Sequence, residues 1–135
     1  MKKILLALAT TLLFPNMSHA AACPTGTDAA PTAGCKIETT GIDYTLTGNI
    51  TTTGDSAYGL LLSISNNNTT TLNGGISTTG DNAFGLYLNG SNNNTTTLTG
   101  GITTTANDAY GLVLNNSSNN TTTLTGGIST GNVDG

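Results

Sequence analysis

Apolar side chains in this chain recur in columns. Leucine stands at 46, 72, 98 and 124, and isoleucine at 50, 76, 102 and 128. Tyr58, Phe84 and Tyr110 keep the same step, followed by Leu60, Leu86 and Leu112, then by Leu62, Leu88 and Leu114. Every column holds that step with no insertion. The cassette from Thr69 to Asn94, TTTLNGGISTTGDNAFGLYLNGSNNN, is repeated at once as TTTLTGGITTTANDAYGLVLNNSSNN from Thr95 to Asn120. A fixed period of about 20–50 residues marks a solenoid or array.

Within one cassette the pattern is that of short strands. Leu72, Gly74, Ile76 and Thr78 share one parity, and Thr71, Asn73, Gly75, Ser77 and Thr79 the other, which is the period of a half-buried strand. A second strand is predicted with Phe84, Leu86 and Leu88 on one face and Gly85, Tyr87 and Asn89 on the other. Gly80-Asp81-Asn82 separates the two and Asn89 to Asn94 closes the coil, both rich in turn-tolerant residues, so each cassette is expected to hold two or three strands and their corners. One cassette has too few apolar side chains for a core of its own, whereas stacked copies bury each other's apolar face. The fold predicted is an all-β parallel β-helix (β-solenoid) of 26-residue coils over 42–135, right-handed as parallel crossovers are.

The polar columns fall at the corners. Asn66-Asn67-Asn68 stands in register with Asn92-Asn93-Asn94 and then Asn119-Asn120, either as hydrogen-bonded amide ladders or as flexible polar corners. Asp55 and Asp81 share a column that continues as Asn107, with the acid displaced to Asp108. Solvated turn aspartates are the favoured reading. Calcium would need several carboxylates per site.

The N-terminus adds an export route. Lys2 and Lys3 precede an apolar run from Ile4 to Phe14, and Ser18-His19-Ala20 places small residues where a signal peptidase reads them. Residues 1–20 are thus expected to be a signal peptide, cut between Ala20 and Ala21. Its removal takes two of three basic residues and the sole histidine, leaving Lys36 against seven carboxylates, a formal charge of −6. Such a chain has no means of gripping phosphates, which excludes nucleic acid as a natural partner. In the segment 21–41, Cys23 and Cys35 form an even pair in an exported protein and are predicted to be disulfide-bonded, a staple at the solenoid entrance. A lipid anchor on Cys23 is the alternative, although Ala20-Ala21-Ala22 lacks the expected leucine.

These elements together resemble the passenger region of bacterial autotransporters (type V secretion): a signal peptide, a cysteine-paired segment, then Thr/Gly/Asn-rich coils such as TTTLTGGITTTANDAYGLVL. The resemblance covers everything after Ala20 and rests on repeat style. It implies a surface-exposed or released β-helix that acts in adhesion or as a stalk. It also implies a C-terminal translocator β-barrel, through which alone the membrane would be engaged. On this reading the chain is the N-terminal part of a longer passenger.

Function is constrained mainly by exclusion. The repeats carry no Lys, Arg, His or Cys, so no base is at hand to activate their hydroxyls, and no paired carboxylates converge. Neither an enzyme, a cofactor, a metal site nor a small-molecule substrate is expected. The column Leu61, Tyr87 and Val113 is apolar where solvent-facing residues should be polar, which makes it the candidate contact stripe. A host or cell-surface receptor, or a second copy through the terminal coil, is the expected partner. The alternative is a secreted ice-binding solenoid. Thr45, Thr71, Thr97 and Thr123 form one column and Thr47, Thr99 and Thr125 the next, arrays that resemble those of ice-binding proteins. Gly75, Gly101 and Gly127 are expected to interrupt that same face.

Overall fold

A computed structural model describes residues 21–29 and 34–131. The predicted signal peptide, with Ala20, lies outside the described residues. Fourteen strands, and no helix among the described residues, follow the chain: β1 (Ala21–Ala22), β2 (Gly26–Ala29), β3 (Cys35–Ile37), β4 (Asp43–Thr47), β5 (Ile50–Thr52), β6 (Tyr58–Ser63), β7 (Thr69–Asn73), β8 (Ile76–Thr78), β9 (Phe84–Asn89), β10 (Thr95–Leu98), β11 (Ile102–Thr104), β12 (Tyr110–Asn115), β13 (Thr121–Leu124) and β14 (Ile128–Thr130).

Each coil contributes one strand to each of three parallel sheets. The threonine sheet is β2-β4-β7-β10-β13, the short sheet β5-β8-β11-β14, and the aromatic sheet β1-β3-β6-β9-β12. From β4 onward register follows the 26-residue step: Leu46 lies beside Leu72 and Leu98, Ile76 beside Ile50 and Ile102, Leu86 beside Leu60 and Leu112, whereas β1, β2 and β3 pair at shorter steps. The chain is a parallel β-solenoid. Of the two or three strands expected per cassette three form: the run Leu72 to Thr78 is divided, the coil turning after Asn73 and beginning a second sheet at Ile76.

The core is a stack of identical layers. Leu46, Leu72 and Leu98 face Ile50, Ile76 and Ile102 and the pairs Leu60/Leu62 and Leu86/Leu88, all buried. Ala57 and Ala83 are buried in one corner column, and Ala106, in the column of Gly80, is buried as well. Burial of such side chains, at about 1.5–3 kcal/mol each, is available only between coils, so the coil and its neighbours form together. Segment 21–41 joins this stack: β1 pairs with β3, β3 with β6, and β2 with β4. The Cys23–Cys35 disulfide is formed and both cysteines are buried, as a staple rather than a lipid attachment point.

The corners are held by backbone conformation and by side-chain ladders. Three columns take left-handed φ: Ser56, Asn82 and Asp108; Ile64, Gly90 and Asn116; Asn67, Asn93 and Asn119. All but Ile64 are Asn, Asp, Gly or Ser, residues that tolerate this region or bond locally to the backbone. Asn68, Asn94 and Asn120 form the buried ladder. Asn94 Oδ1 accepts the Asn68 N–H at 3.0 Å, its Nδ2 donates to the Ser65 carbonyl at 2.9 Å, and Asn120 repeats both bonds toward Asn94 and Ser91 at 2.9 and 2.7 Å. Serines 65, 91 and 117 run alongside, each lower N–H donating to the hydroxyl above at 3.1 and 3.0 Å. Of the two readings open for the asparagine corner, the ladder is the one the fold uses.

Candidate functional surface

The groups best suited to chemistry are engaged in the frame. The Asp81 N–H donates to Asp55 Oδ1 at 3.1 Å, and the Asn107 N–H to Asp81 Oδ1 at 3.1 Å. Each corner carboxylate thus caps the next coil rather than standing merely solvated, and Asp108 occupies the left-handed position that Asn82 and Ser56 hold below it. Lys36 pairs with Glu38 at 3.1 Å. Among the described residues no group of three or more His, Cys, Asp or Glu side chains gathers around a common point.

The aromatic column lies on the other side of its strand from where alternation puts it. In β9, Leu86 and Leu88 are buried, but Phe84 is only half-buried and its ring stacks on Tyr87, with centroids 5.0 Å apart. Gly85, expected outside, is the buried neighbour. A Cβ on Gly85 would run into Ile102 Cγ2 of the next coil and lie 2.6 Å from the Gly111 carbonyl oxygen; Gly59 stands likewise against Ile76 and Gly111 against Ile128. Two consecutive inward residues break the alternation in every coil alike, so the residue before them turns out. The signal for it is present in the sequence as the Tyr-Gly-Leu or Phe-Gly-Leu triplet that opens each such strand.

The outer face of the aromatic sheet consequently carries two columns of apolar residues. Leu61, Tyr87 and Val113 stand in register, with Lys36 beneath them. Beside them Tyr58 stacks on Phe84 at 5.3 Å and Phe84 on Tyr110 at 5.6 Å, both with planes 13° apart. Tyr58 also meets Tyr87 at 5.4 Å. Burial, and then the neighbouring Tyr87, raise the Tyr58 hydroxyl above its ordinary value. Asn89 and Asn115 border the face, where the Asn115 amide donates to Tyr87 Oη at 3.3 Å and to Asn89 Oδ1 at 3.1 Å.

The threonine sheet is of opposite character. Its outward positions are Asp43, Thr69, Thr95 and Thr121; Thr45, Thr71, Thr97 and Thr123; then Thr47, Asn73, Thr99 and Thr125. The first of these columns was not anticipated. Glycines 75 and 101 do not interrupt the face, because they lie past its edge, at the corner leading into the short sheet. There they floor a shallow groove of about 410 Å³ whose side is the hydroxyl column Thr51, Ser77 and Thr103. Comparison with protein-family models, with curated proteins and with solved structures returned no match.

Proposed function

We propose that this chain is an exported β-solenoid, the N-terminal part of an autotransporter-like passenger, and that it works through its repeated outer surface in adhesion or as a stalk. The observation that carries the reading is the register of the repeats: from β4 onward all three sheets step by 26 residues, so whatever the surface offers is offered again in each of these coils. Rigid repetition suits extended contact with a large partner, such as a host or cell-surface receptor. The cysteine pair supports export, because disulfides persist in oxidising compartments. The test expresses the chain in a bacterium with its own leader, Met1 to Ala20, follows its mass and location, then measures retention of chain-coated beads on host cells. A product beginning at Ala21, oxidised at Cys23 and Cys35, outside the cytoplasm and adherent, is expected. An unprocessed, reduced cytoplasmic product would refute the reading.

A specific observation favours a second reading, ice binding by the threonine sheet. Its hydroxyls form three columns on a parallel sheet, about 4.8 Å apart between strands and about 6.6 Å apart along each strand. Freezing-point depression should then be measurable against a seeded ice crystal and lost in Thr97→Leu. Growth of the crystal at its melting point in the presence of the chain would remove this reading.

A further inference from the structure

We infer that the aromatic sheet is a lateral docking face for a second copy of this chain, two rods lying side by side with these sheets in contact. The inference rests on the reading that the chain acts through its repeated surface, and names what one part of that surface meets.

Sidedness is the first argument. Outward positions on the other sheets are hydroxyl, amide or carboxylate groups, such as Thr71 and Thr97 on one and Thr51, Ser77 and Thr103 on the other. On the aromatic sheet they are Tyr58, Phe84 and Tyr110, then Leu61, Tyr87 and Val113, bordered by Lys36 and by the polar column Ser63, Asn89 and Asn115. A sheet with one face on the core and the other in water should alternate apolar and polar, as the threonine sheet does. A contiguous apolar face on a polar rod is the usual mark of an interaction surface.

Ring geometry and charge select the occupant. The rings stack one coil upon the next, so Phe84 is covered on both faces by Tyr58 and Tyr110. Sugar rings, which need an open aromatic face, are poorly served, while rows of ring edges suit a second row that interdigitates with them. A second copy brings rows at the identical strand spacing, and a two-fold axis makes the contact self-complementary. Among the described residues the aspartates lie elsewhere, Asp43 on the threonine sheet and Asp55, Asp81 and Asp108 at a corner, while Glu38, at the N-terminal end of this face, is neutralised by Lys36. Two acidic rods therefore approach with least repulsion through this face.

Area bounds the strength. Three strands of six residues with β3 of three and β1 of two, at about 4.8 Å between strands and about 3.3 Å per residue, give roughly 360 Å² per copy, a total in the range of weak, transient contacts. The pair should be weak and reversible, with a Kd on the order of 100 µM or more.

Sedimentation equilibrium of the purified, oxidised chain from about 5 µM to 1 mM tests this. A monomer–dimer equilibrium is expected, weakened at least about tenfold by Tyr87→Glu and by Val113→Glu and unchanged in Thr97→Glu. Circular dichroism checks the fold of each variant; should Tyr87→Glu unfold, Val113→Glu alone decides. Val113→Cys should cross-link two copies under oxidation, and Thr97→Cys should not. A chain monomeric at 1 mM, or a dimer indifferent to Tyr87→Glu and Val113→Glu, overturns the inference. Export and bead adhesion without pairing would leave the functional reading standing and remove only the lateral face.

Discussion

Asn94→Ala removes one rung of the buried amide ladder, and its cost follows from the geometry. Asn94 is 1% exposed. Its Oδ1 accepts the Asn68 N–H at 3.0 Å, and its Nδ2 donates to the Ser65 carbonyl at 2.9 Å and to Asn120 Oδ1 at 3.1 Å. Alanine keeps the backbone N–H bond to Asn120 but leaves the Asn68 N–H and the Ser65 carbonyl without partners inside the stack. Each buried group left unsatisfied costs about 1–3 kcal/mol, so the pair costs about 2–6 kcal/mol. Asn94→Asp should not rescue it, because a carboxylate accepts from Asn68 but has no donor for Ser65 and sets a negative charge against that carbonyl. Stacked coils open in parts, so the sharpest assay is amide hydrogen exchange read at Asn68, backed by urea unfolding. At about 1.4 kcal/mol per tenfold, the lower figure predicts roughly 30-fold faster exchange at that amide. Thr95→Ala, at an exposed neighbour, should leave it unchanged. Exchange at Asn68 within about threefold of the parent chain would refute the ladder as a source of stability.

Ile64 is a β-branched residue at φ 49° and 75% exposed, where the next coils place Gly90 and Asn116; Ile64→Asn should raise stability by about 1 kcal/mol in urea, and no gain would contradict the strain argument. Gly85→Ala drives a methyl into Ile102 and the Gly111 carbonyl, and should lower stability by about 1–3 kcal/mol or more, visible as a lower melting temperature. Thr78 is fully buried and its hydroxyl has no hydrogen-bond partner; Thr78→Val should be neutral or stabilising by about 1 kcal/mol, and a clear loss would show that the hydroxyl is satisfied in solution. Tyr58 holds its proton more tightly folded than unfolded. Stability should therefore be flat below the unfolded value of 10.0 and fall as pH rises from there through the folded value, a decline that Tyr58→Phe flattens.

Much of this architecture is set by information local to a cassette and its copies. Columns of Leu and Ile at a constant step require parallel in-register stacking, because only a neighbouring coil can bury the apolar face that each copy presents. The cysteine pair at the entrance could likewise be anticipated from its close spacing and even count. The candidate contact stripe Leu61, Tyr87 and Val113 was visible as an apolar column, and the coil arrangement keeps it in register on one outer face. Even the left-handed corners are announced by Asn, Asp and Gly, with Ile64 as the misfit.

What alternation along one strand could not decide was the side on which Tyr58, Phe84 and Tyr110 fall. A period of two assigns Phe84 to the core with Leu86 and Leu88. The tertiary structure turns it outward because Ile102, on β11 one coil above, occupies the space inside Gly85. The same holds for the threonine sheet: no glycine interrupts its outer face, because the coil bends before Gly75, and that bend is stabilised between coils, by bonds such as the Gly75 N–H to Asn49 Oδ1 at 2.9 Å. Within a single cassette the residue pattern specifies which side chains recur. Which of them water would meet was settled by packing between coils, since that contact exists only once the neighbouring coil is in place.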